Sequence, residues 1–181
     1  SSSNEGGGIS ANLCSLELLG TSIINATARN GNGGAILVSM GSTLRIDDTT
    51  VFQNNTAITG SGGAVSCEKC TTMTFNGRTN FVNNIANVGG GAVHSVSPIN
   101  PVISSDSMFE SNTAENSNGG AIDAHNTNWT SINDQFNSNI ATSGSGGAFS
   151  LFKSHLNLDS TTSCTGNTAL KGGGGCIVWE P

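Results

Sequence analysis

Apolar and polar residues alternate in short stretches along the chain. Residues 43–46 are Thr-Leu-Arg-Ile, residues 72–75 are Thr-Met-Thr-Phe and residues 155–158 are His-Leu-Asn-Leu. A period of two residues is typical of a half-buried β-strand. The 3.6-residue period and the strong helix formers of an amphipathic helix are absent. The pattern therefore predicts many short strands joined by polar turns.

One tetrapeptide recurs between these stretches at nearly constant spacing. It consists of two glycines, a small residue and an apolar residue, and successive copies begin 27 to 29 residues apart. The copies are Gly33-Gly34-Ala35-Ile36, Gly62-Gly63-Ala64-Val65, Gly90-Gly91-Ala92-Val93, Gly119-Gly120-Ala121-Ile122, Gly146-Gly147-Ala148-Phe149 and Gly174-Gly175-Cys176-Ile177. Gly6-Gly7-Gly8-Ile9 is a degenerate first copy. A repeat of this length without helical periodicity predicts stacked β-coils.

A second motif, Phe-x-x-Asn, keeps phase with the first. Its copies are Phe52 to Asn55, Phe81 to Asn84, Phe109 to Asn112 and Phe136 to Asn139. Cys164 to Asn167 and Ser22 to Asn25 are assigned to the same position at the two ends. We expect the Phe side chains to fill the core. The Asn side chains of successive coils are expected to form an amide ladder like those of stacked strands.

Together the motifs predict an all-β fold, a right-handed parallel β-helix of the pectin-lyase-like solenoid type. It would have six to seven coils of about 28 residues, with about three strands per coil, in a single domain over residues 1–181. The chain lacks an initial Met and stops just inside a repeat, so we expect it to be a fragment of a longer chain. Six coil steps would span about 29 Å. The glycines would form a corner closed to other residues, and Ala would fit the crowded interior behind it.

The alternation also assigns inside and outside positions after each glycine pair. Consider the residue four places after the first glycine of each copy. Its two neighbours in the chain are apolar or small, which predicts that these neighbours point inward. The fourth position itself is mostly polar and is expected to face outward. Its occupants are Leu37, Ser66, His94, Asp123, Ser150 and Val178.

Composition narrows the classes of function. The chain has 6 basic and 12 acidic residues, a net charge of −6, and only 10% charged residues. Without a basic stripe, binding to nucleic acid is not expected, nor is attraction to an anionic membrane. No run approaches the roughly 18 apolar residues of a membrane-spanning helix, so this segment is not expected to insert into a membrane.

The ionisable residues do not predict an active site. Asp47, Asp48, Asp106, Asp134 and Asp159 are scattered, and adjacent residues of a strand face opposite ways. The best catalytic pair is His94 with Asp123, one coil apart and about 5 Å along the stack. We interpret this pair as chance surface neighbours. No better catalytic partner is expected for His125 or His155. No catalytic residue, metal or cofactor is expected.

Five cysteines leave at least one thiol unpaired within this chain. Cys67 and Cys70 have no second ligand pair for zinc, which leaves a local disulfide or two ordinary thiols. Cys164 and Cys176 are a candidate disulfide between consecutive coils, and Cys14 is then the odd one out. Sequons at Asn25, Asn54 and Asn128 are compatible with secretion, with Asn54 and Asn128 as candidate glycosylation sites.

The combination of GGA[I/V/L] and FxxN in one repeat resembles the polymorphic outer membrane proteins, the Pmp autotransporter adhesins of chlamydiae. The resemblance covers Gly6 to Ile177. It implies a β-helix passenger, exposure at the cell surface, and adhesion to host cells in which both tetrapeptides take part.

These observations predict a non-enzymatic extracellular or cell-surface scaffold that acts in adhesion or as a structural rod. Its expected partners are a protein or glycan at a cell surface, or further coils or subunits that cap its ends. Three alternatives stay open: a subunit of a surface filament, a polysaccharide lyase or hydrolase, and an ice-binding solenoid. The last is suggested by Thr56, Thr113 and Thr168 in one file, which Ile85 and Ile140 interrupt.

Overall fold

The structure, a computed structural model, describes residues 6–181 and is a parallel β-solenoid of about 28 residues per turn. Every strand pairs in parallel with its equivalents one coil before and after it. The described residues form four sheets that run along the solenoid. The prediction of an all-β solenoid is confirmed. No helix among the described residues is long and apolar enough to cross a membrane.

In each coil, the strand of the first sheet begins at the last residue of the glycine tetrapeptide. The strand of the second sheet comes next along the chain. The strands of the first sheet are Ile9–Asn12, Ile36–Ser39, Val65–Glu68, Val93–Val96, Ile122–His125, Phe149–Phe152 and Ile177–Glu180. The strands of the second sheet are Ser15–Leu19, Thr43–Asp47, Thr72–Phe75, Val102–Ser105, Asn128–Ile132 and His155–Leu158.

The third sheet contains the Phe positions, and the fourth sheet comes just after the Asn positions. The strands of the third sheet are Ser22–Ile24, Val51–Gln53, Asn80–Val82, Met108–Glu110, Gln135–Asn137 and Ser163–Thr165. The strands of the fourth sheet are Thr27–Ala28, Thr56–Ala57, Ile85–Ala86, Thr113–Ala114, Ile140–Ala141 and Thr168–Ala169.

Each complete coil has four strands, not the three expected from the sequence. The additional strand is the two-residue element of the fourth sheet, such as Thr56–Ala57. Two residues are too few to show alternation, so the pattern along the chain could not reveal it. In these strands Ala faces the interior and is fully buried at Ala57, Ala86, Ala114 and Ala141.

The core is a column of aromatic rings flanked by aliphatic side chains. Phe52, Phe81, Phe109 and Phe136 are fully buried, and their ring centroids follow one another at 5.0, 4.7 and 4.7 Å. This spacing matches the distance between paired strands, about 4.7–4.9 Å. Parallel pairing in register therefore brings about the ring stack that the repeated Phe predicts.

The two glycines of the tetrapeptide are needed for different reasons. Gly62 has a φ of +68°, a left-handed conformation that costs other residues free energy. Gly63 does not have a positive φ, but a Cβ there would overlap the carbonyl oxygen of Gly91 and lie 2.6 Å from the amide nitrogen of Ile85. The second glycine is thus required by the close approach of two backbones.

The Asn side chains form a continuous ladder from Asn55 to Asn167, and its members are fully buried as far as Asn139. The Nδ2 of Asn84 donates to Oδ1 of Asn112 at 2.9 Å and to the carbonyl oxygen of Phe52 at 3.0 Å. Its Oδ1 accepts from both the backbone N and the Nδ2 of Asn55 at 3.0 Å. Asn112 and Asn139 repeat this pattern, and Asn167 ends the ladder, where it accepts from Asn139 and donates to the carbonyl oxygen of Phe136. The ladder satisfies backbone groups at the bend where no strand pairing is available.

The first coil departs from the assignment made from its sequence. Ile23, not Ser22, pairs with Phe52, and Ala26 lies beside Asn55, whose Oδ1 accepts the Ala26 amide at 2.9 Å. Asn25 is exposed with a φ of +58° and corresponds to Asn54. The assignment of Ser22 and Asn25 to the Phe and Asn positions of the motif is therefore wrong by one residue.

Asn84→Ala is expected to destabilise the solenoid by at least about 3 kcal/mol. The substitution removes the partners of the Phe52 carbonyl and of two Asn55 donors, and buried polar groups left unpaired cost about 1–3 kcal/mol each. Thermal unfolding followed by circular dichroism measures the change. Asn83→Gly is the matched control, because Asn83 is exposed with a φ of +54°. Equal melting of both variants would contradict the ladder's contribution.

Candidate functional site

The residues of the two repeated motifs lie inside the solenoid. Ala35, Ala64, Phe81 and Asn84 all have 0% of their surface exposed, and the equivalent residues of the inner coils are also buried. Their side chains therefore cannot contact a partner while the coil is folded. A functional site has to be sought on the outer faces and turns.

The outer face of the first sheet carries the most concentrated polar chemistry. As predicted, the fourth position after each first glycine faces away from the core, with His94 paired to Ser66 and Asp123. These positions are nevertheless covered, and Leu37, Ser66, Asp123 and Ser150 are buried. Asp123 is covered by the segment that precedes the tetrapeptide of the previous coil, because a Cβ at Gly89 would overlap the Asp123 carboxylate. The expectation of an exposed row is thus wrong.

His94, Asp123 and His125 form a cluster on this face. The Oδ2 of Asp123 lies 3.0 Å from Nε2 of His125, with which it is hydrogen-bonded, and 3.3 Å from Nδ1 of His94. His94 is on one coil and the other two residues are on the next, at the second and fourth positions of one strand. The side chains are 13%, 6% and 36% exposed, respectively, so His125 forms the open side of the cluster.

The electrostatics of the cluster favour an ionised carboxylate. Burial alone would raise the pKa of Asp123, but the hydrogen bond with His125 and the interaction with His94 outweigh it and lower this pKa to about 2. The same hydrogen bond raises the pKa of His125, against the opposing effect of burial. Asp123 is therefore a buried negative charge, held between two imidazole rings.

Sequence reasoning found two members of this cluster and missed the third. The stacking of His94 on Asp123 is as the register predicts, but the pair is not a surface pair because Asp123 is buried. The sequence analysis assigns no partner to His125, although residues two apart in a strand share a face. The period-two rule applied to Asp123 would have included it.

A second buried carboxylate, Asp134, lies in the turn between the second and third sheets and has a structural role. Its Oδ2 accepts from Oγ of Ser104 and of Ser131, each at 2.5 Å, and its Oδ1 accepts from the backbone N of Ser107 at 2.8 Å. Burial raises its pKa, and these hydrogen bonds oppose that shift only in part. Every donor in this network is internal, so Asp134 offers nothing to a ligand.

The six basic residues are spread over several parts of the solenoid. Arg45 lies on the second sheet and bridges Glu17 at 2.6 Å and Asp47 at 2.5 Å. The other five lie in turns: Lys69 and Lys153 after the first sheet, Arg78 after the second, and Arg29 and Lys171 after the fourth. No groove of the described residues combines several of them with a carboxylate cluster.

In the turn after the first sheet, one residue of each coil has a left-handed backbone conformation. Several of these residues have bulky side chains, which are unusual in that conformation. This row, which we call the first turn row, follows the first sheet and has φ values of 40° to 55°. It consists of Leu13, Met40, Lys69, Ser97, Asn126 and Lys153. Bulky residues are uncommon at positive φ, where Gly or Asn costs less. Leu13 and Met40 are also 77% and 63% exposed, so core packing does not explain them.

The corresponding row after the third sheet has residues that suit this conformation. It consists of Asn25, Asn54, Asn83, Ser111, Ser138 and Gly166, with φ values of 54° to 65°. Asn and Gly account for four of these six positions, whereas the first turn row has one Asn. The two rows share a backbone conformation and differ in side chains, which makes the second a control for the first.

The structure places each cysteine pair of the sequence analysis in a disulfide. Cys67 and Cys70 have Cα atoms 5.7 Å apart, and those of Cys164 and Cys176 are 6.2 Å apart. Cys14 is free and exposed. Cys164 occupies the Phe position of its coil, where it pairs with Phe136. The side chains of Asn54 and Asn128 are exposed, as a glycan acceptor requires.

Comparison with known families gives one result. Residues 49–68 match the Chlamydia polymorphic membrane protein repeat. The segment runs from the turn before the third sheet, through one Phe-x-x-Asn and one glycine tetrapeptide, to the end of a first-sheet strand. The repeat family expected from the sequence is thereby confirmed. No curated protein and no solved structure matches the chain significantly.

The matched polymorphic membrane protein repeat corresponds to part of one coil. It contains Phe52 of the aromatic column and the first ladder residue, Asn55. The His94, Asp123 and His125 cluster lies outside it, one and two coils further along the first sheet. The family match therefore supports the coil architecture and assigns no role to that cluster.

Proposed function

We propose that this chain is a non-enzymatic, surface-exposed segment of an adhesin, in which the solenoid is a rigid support for side chains in its turns. The observation that carries the proposal is the first turn row. At this row the same left-handed conformation recurs in each coil, while the side chain changes from Leu and Met to Lys, Ser and Asn.

The free-energy cost at this row supports a binding role. A non-glycine residue in the left-handed conformation costs about 1–2 kcal/mol, and Leu13 and Met40 gain little burial in return. Such outliers cluster at functional sites because the side chain is needed there. Ile99, 70% exposed in the following turn segment, adds a further apolar side chain along the same edge.

Because the repeated motifs are buried, we propose that they contribute to adhesion indirectly, without contacting the partner. The resemblance to the Pmp adhesins implies that both tetrapeptides take part in binding to host cells. Phe81, Asn84 and Ala64 are fully buried, so in this proposal they act by building the coil. Contact with the partner, a protein or glycan of the host-cell surface, belongs to the exposed turns.

The scatter of the basic residues supports this proposal over a polysaccharide lyase or hydrolase. Such enzymes need carboxylates and a basic residue together in one groove. Here Arg45 is engaged by two carboxylates on the second sheet, and Lys69 and Lys153 are three coils apart in the first turn row.

Substituting both Leu13 and Met40 by Gly is expected to reduce cell binding without loss of stability. Gly relieves the left-handed strain, so the melting temperature should stay within about 2 °C of the parent or rise. Binding of the fluorescently labelled chain to cultured epithelial cells, measured by flow cytometry, should fall at least roughly fivefold.

The matched control replaces Asn83 and Ser138 by Gly. These residues have φ values of +54° and +55° in the row after the third sheet and are exposed. Their variant should bind cells as the parent does. Absence of saturable binding by the parent, or equal loss in both variants, would overturn the proposal. Assembly of the parent into filaments in sedimentation analysis would support the filament-subunit alternative instead.

A further inference from the structure

Polar atoms without partners are concentrated in one row of the first sheet. Among the described residues, the buried side-chain atoms without a hydrogen bond are Oγ of Ser66, Oγ1 of Thr79, Nδ1 of His94 and Oδ1 of Asp123. Ser66, His94 and Asp123 occupy successive coils at the same position. Buried polar groups in native proteins are nearly always paired, and each unpaired one costs about 1–3 kcal/mol. Two of these atoms, Nδ1 of His94 and Oδ1 of Asp123, belong to one cluster of potential metal ligands, where a bound ion could engage them.

We propose that His94, Asp123 and His125 bind a divalent transition-metal ion, of which Zn²⁺ is the best-matched representative. One potential ligand atom of each residue lies within 4.8 Å of the other two. The Oδ2 of Asp123 lies 3.0 Å from Nε2 of His125 and 3.3 Å from Nδ1 of His94. Tetrahedral zinc with bonds of about 2.0–2.1 Å places its ligand atoms roughly 3.3 Å apart. The three side chains therefore need only small rotations to surround an ion.

The ligand types select the class of metal. Two imidazole nitrogens and one carboxylate suit zinc and its transition-metal neighbours, whereas Ca²⁺ and Mg²⁺ prefer sites made of oxygen atoms. Asp123, only 4% exposed, keeps its Oδ1 unpaired beside this set. A cation bound at these ligand atoms would compensate the buried charge of the carboxylate. A fourth coordination position stays open to water on the more exposed His125 side.

The fold holds the ligands before the metal arrives. His94 and Asp123 are fixed by register in adjacent paired strands, and His125 follows Asp123 on the same face. The segment at Gly89 covers Asp123 and restricts its movement, because it leaves no room for a Cβ. Since the ligands come from two coils, a bound ion would tie one coil to the next. Metal binding is therefore expected to stabilise the solenoid against unfolding.

Titration of the metal-free whole chain with ZnCl₂ in a calorimeter tests the site. Every protein carries Cys14→Ser, because the exposed thiol of Cys14 is a competing zinc ligand. The parent should bind one ion per chain, and zinc should raise its melting temperature. His94→Gln, His125→Gln and Asp123→Asn should each weaken binding at least tenfold. His155→Gln is the matched control, since His155 is exposed on the second sheet and should leave binding unchanged.

Two further measurements make the result decisive. Circular dichroism of the metal-free variants shows whether each is folded, and Co²⁺ substitution reports coordination through its visible absorption bands. No saturable zinc binding in the parent, or binding kept by any one of the three ligand variants, would overturn the site. Binding of Ca²⁺ as tight as that of Zn²⁺ would overturn the metal class. Cell adhesion is measured separately, so failure here leaves the adhesive proposal intact.

Discussion

Phe81→Asp is expected to abolish cooperative folding of the solenoid. The ring of Phe81 is fully buried, stacks between Phe52 and Phe109 at centroid distances of 5.0 and 4.7 Å, and meets the edge of Phe75 at 5.2 Å. Loss of a buried Phe side chain costs about 3–5 kcal/mol. An unpaired buried carboxylate adds several kcal/mol more. Together they approach the 5–15 kcal/mol typical of a whole domain.

Far-UV circular dichroism during heating measures this effect, and a cooperative transition should be absent. Val82→Asp is the matched control, because Val82 is the next residue, on the partly exposed outer side of the same strand. Phe81→Leu keeps an apolar side chain and should melt cooperatively at a lower temperature. A Phe81→Asp variant that melted like the parent would contradict the position of this residue in the coil.

Gly63→Ala is expected to cost at least about 3 kcal/mol, although it adds only one methyl group. The new Cβ would overlap the carbonyl oxygen of Gly91 and would lie 2.6 Å from N and 2.7 Å from C of Ile85. All three are backbone atoms of later segments that are hydrogen-bonded in the coil stack, and they cannot move without disturbing that pairing. At about 2–4 °C per kcal/mol for a chain of this size, the melting temperature should fall by at least about 6 °C.

The control for this substitution is Gly173→Ala. A Cβ at Gly173 would meet no atom within 4 Å, and this glycine has no positive φ. Its variant should melt within about 2 °C of the parent or slightly higher, since Ala restricts the unfolded chain. Equal destabilisation by both substitutions would show that the cost at Gly63 comes from chain flexibility instead of backbone approach.

Much of the fold could be predicted because its determinants are local and repeated. The spacing of the glycine pairs sets the coil length, and Phe and Asn in fixed phase predict the ring stack and the ladder that Phe81 and Asn84 form. The strands of the fourth sheet escaped prediction because a dipeptide such as Thr56–Ala57 has no periodicity. Asn25 was misplaced because its coil has Ala26 where the next coil has Asn55.

The candidate sites were harder to predict because they depend on contacts between segments. Alternation predicts that Asp123 faces outward, but not that the chain around Gly89 folds back over it. Similarly, the sequence shows Leu13 and Met40 only as apolar residues near a turn. Their significance comes from the left-handed conformation, with φ of 52° and 40°, and from their exposure. Neither property can be inferred from residue type alone.

The register of the ladder also determines how the chain can fold. Nearly every pairing joins residues one coil apart, such as Phe81 with Phe109 and Asn84 with Asn112. Each step of growth therefore closes a loop of about the same length, and the entropy lost in closure does not increase as coils are added. Folding is expected to begin where two neighbouring coils first pair and to extend coil by coil. The rate of this process would depend on that first pair and would change little with the length of the rod.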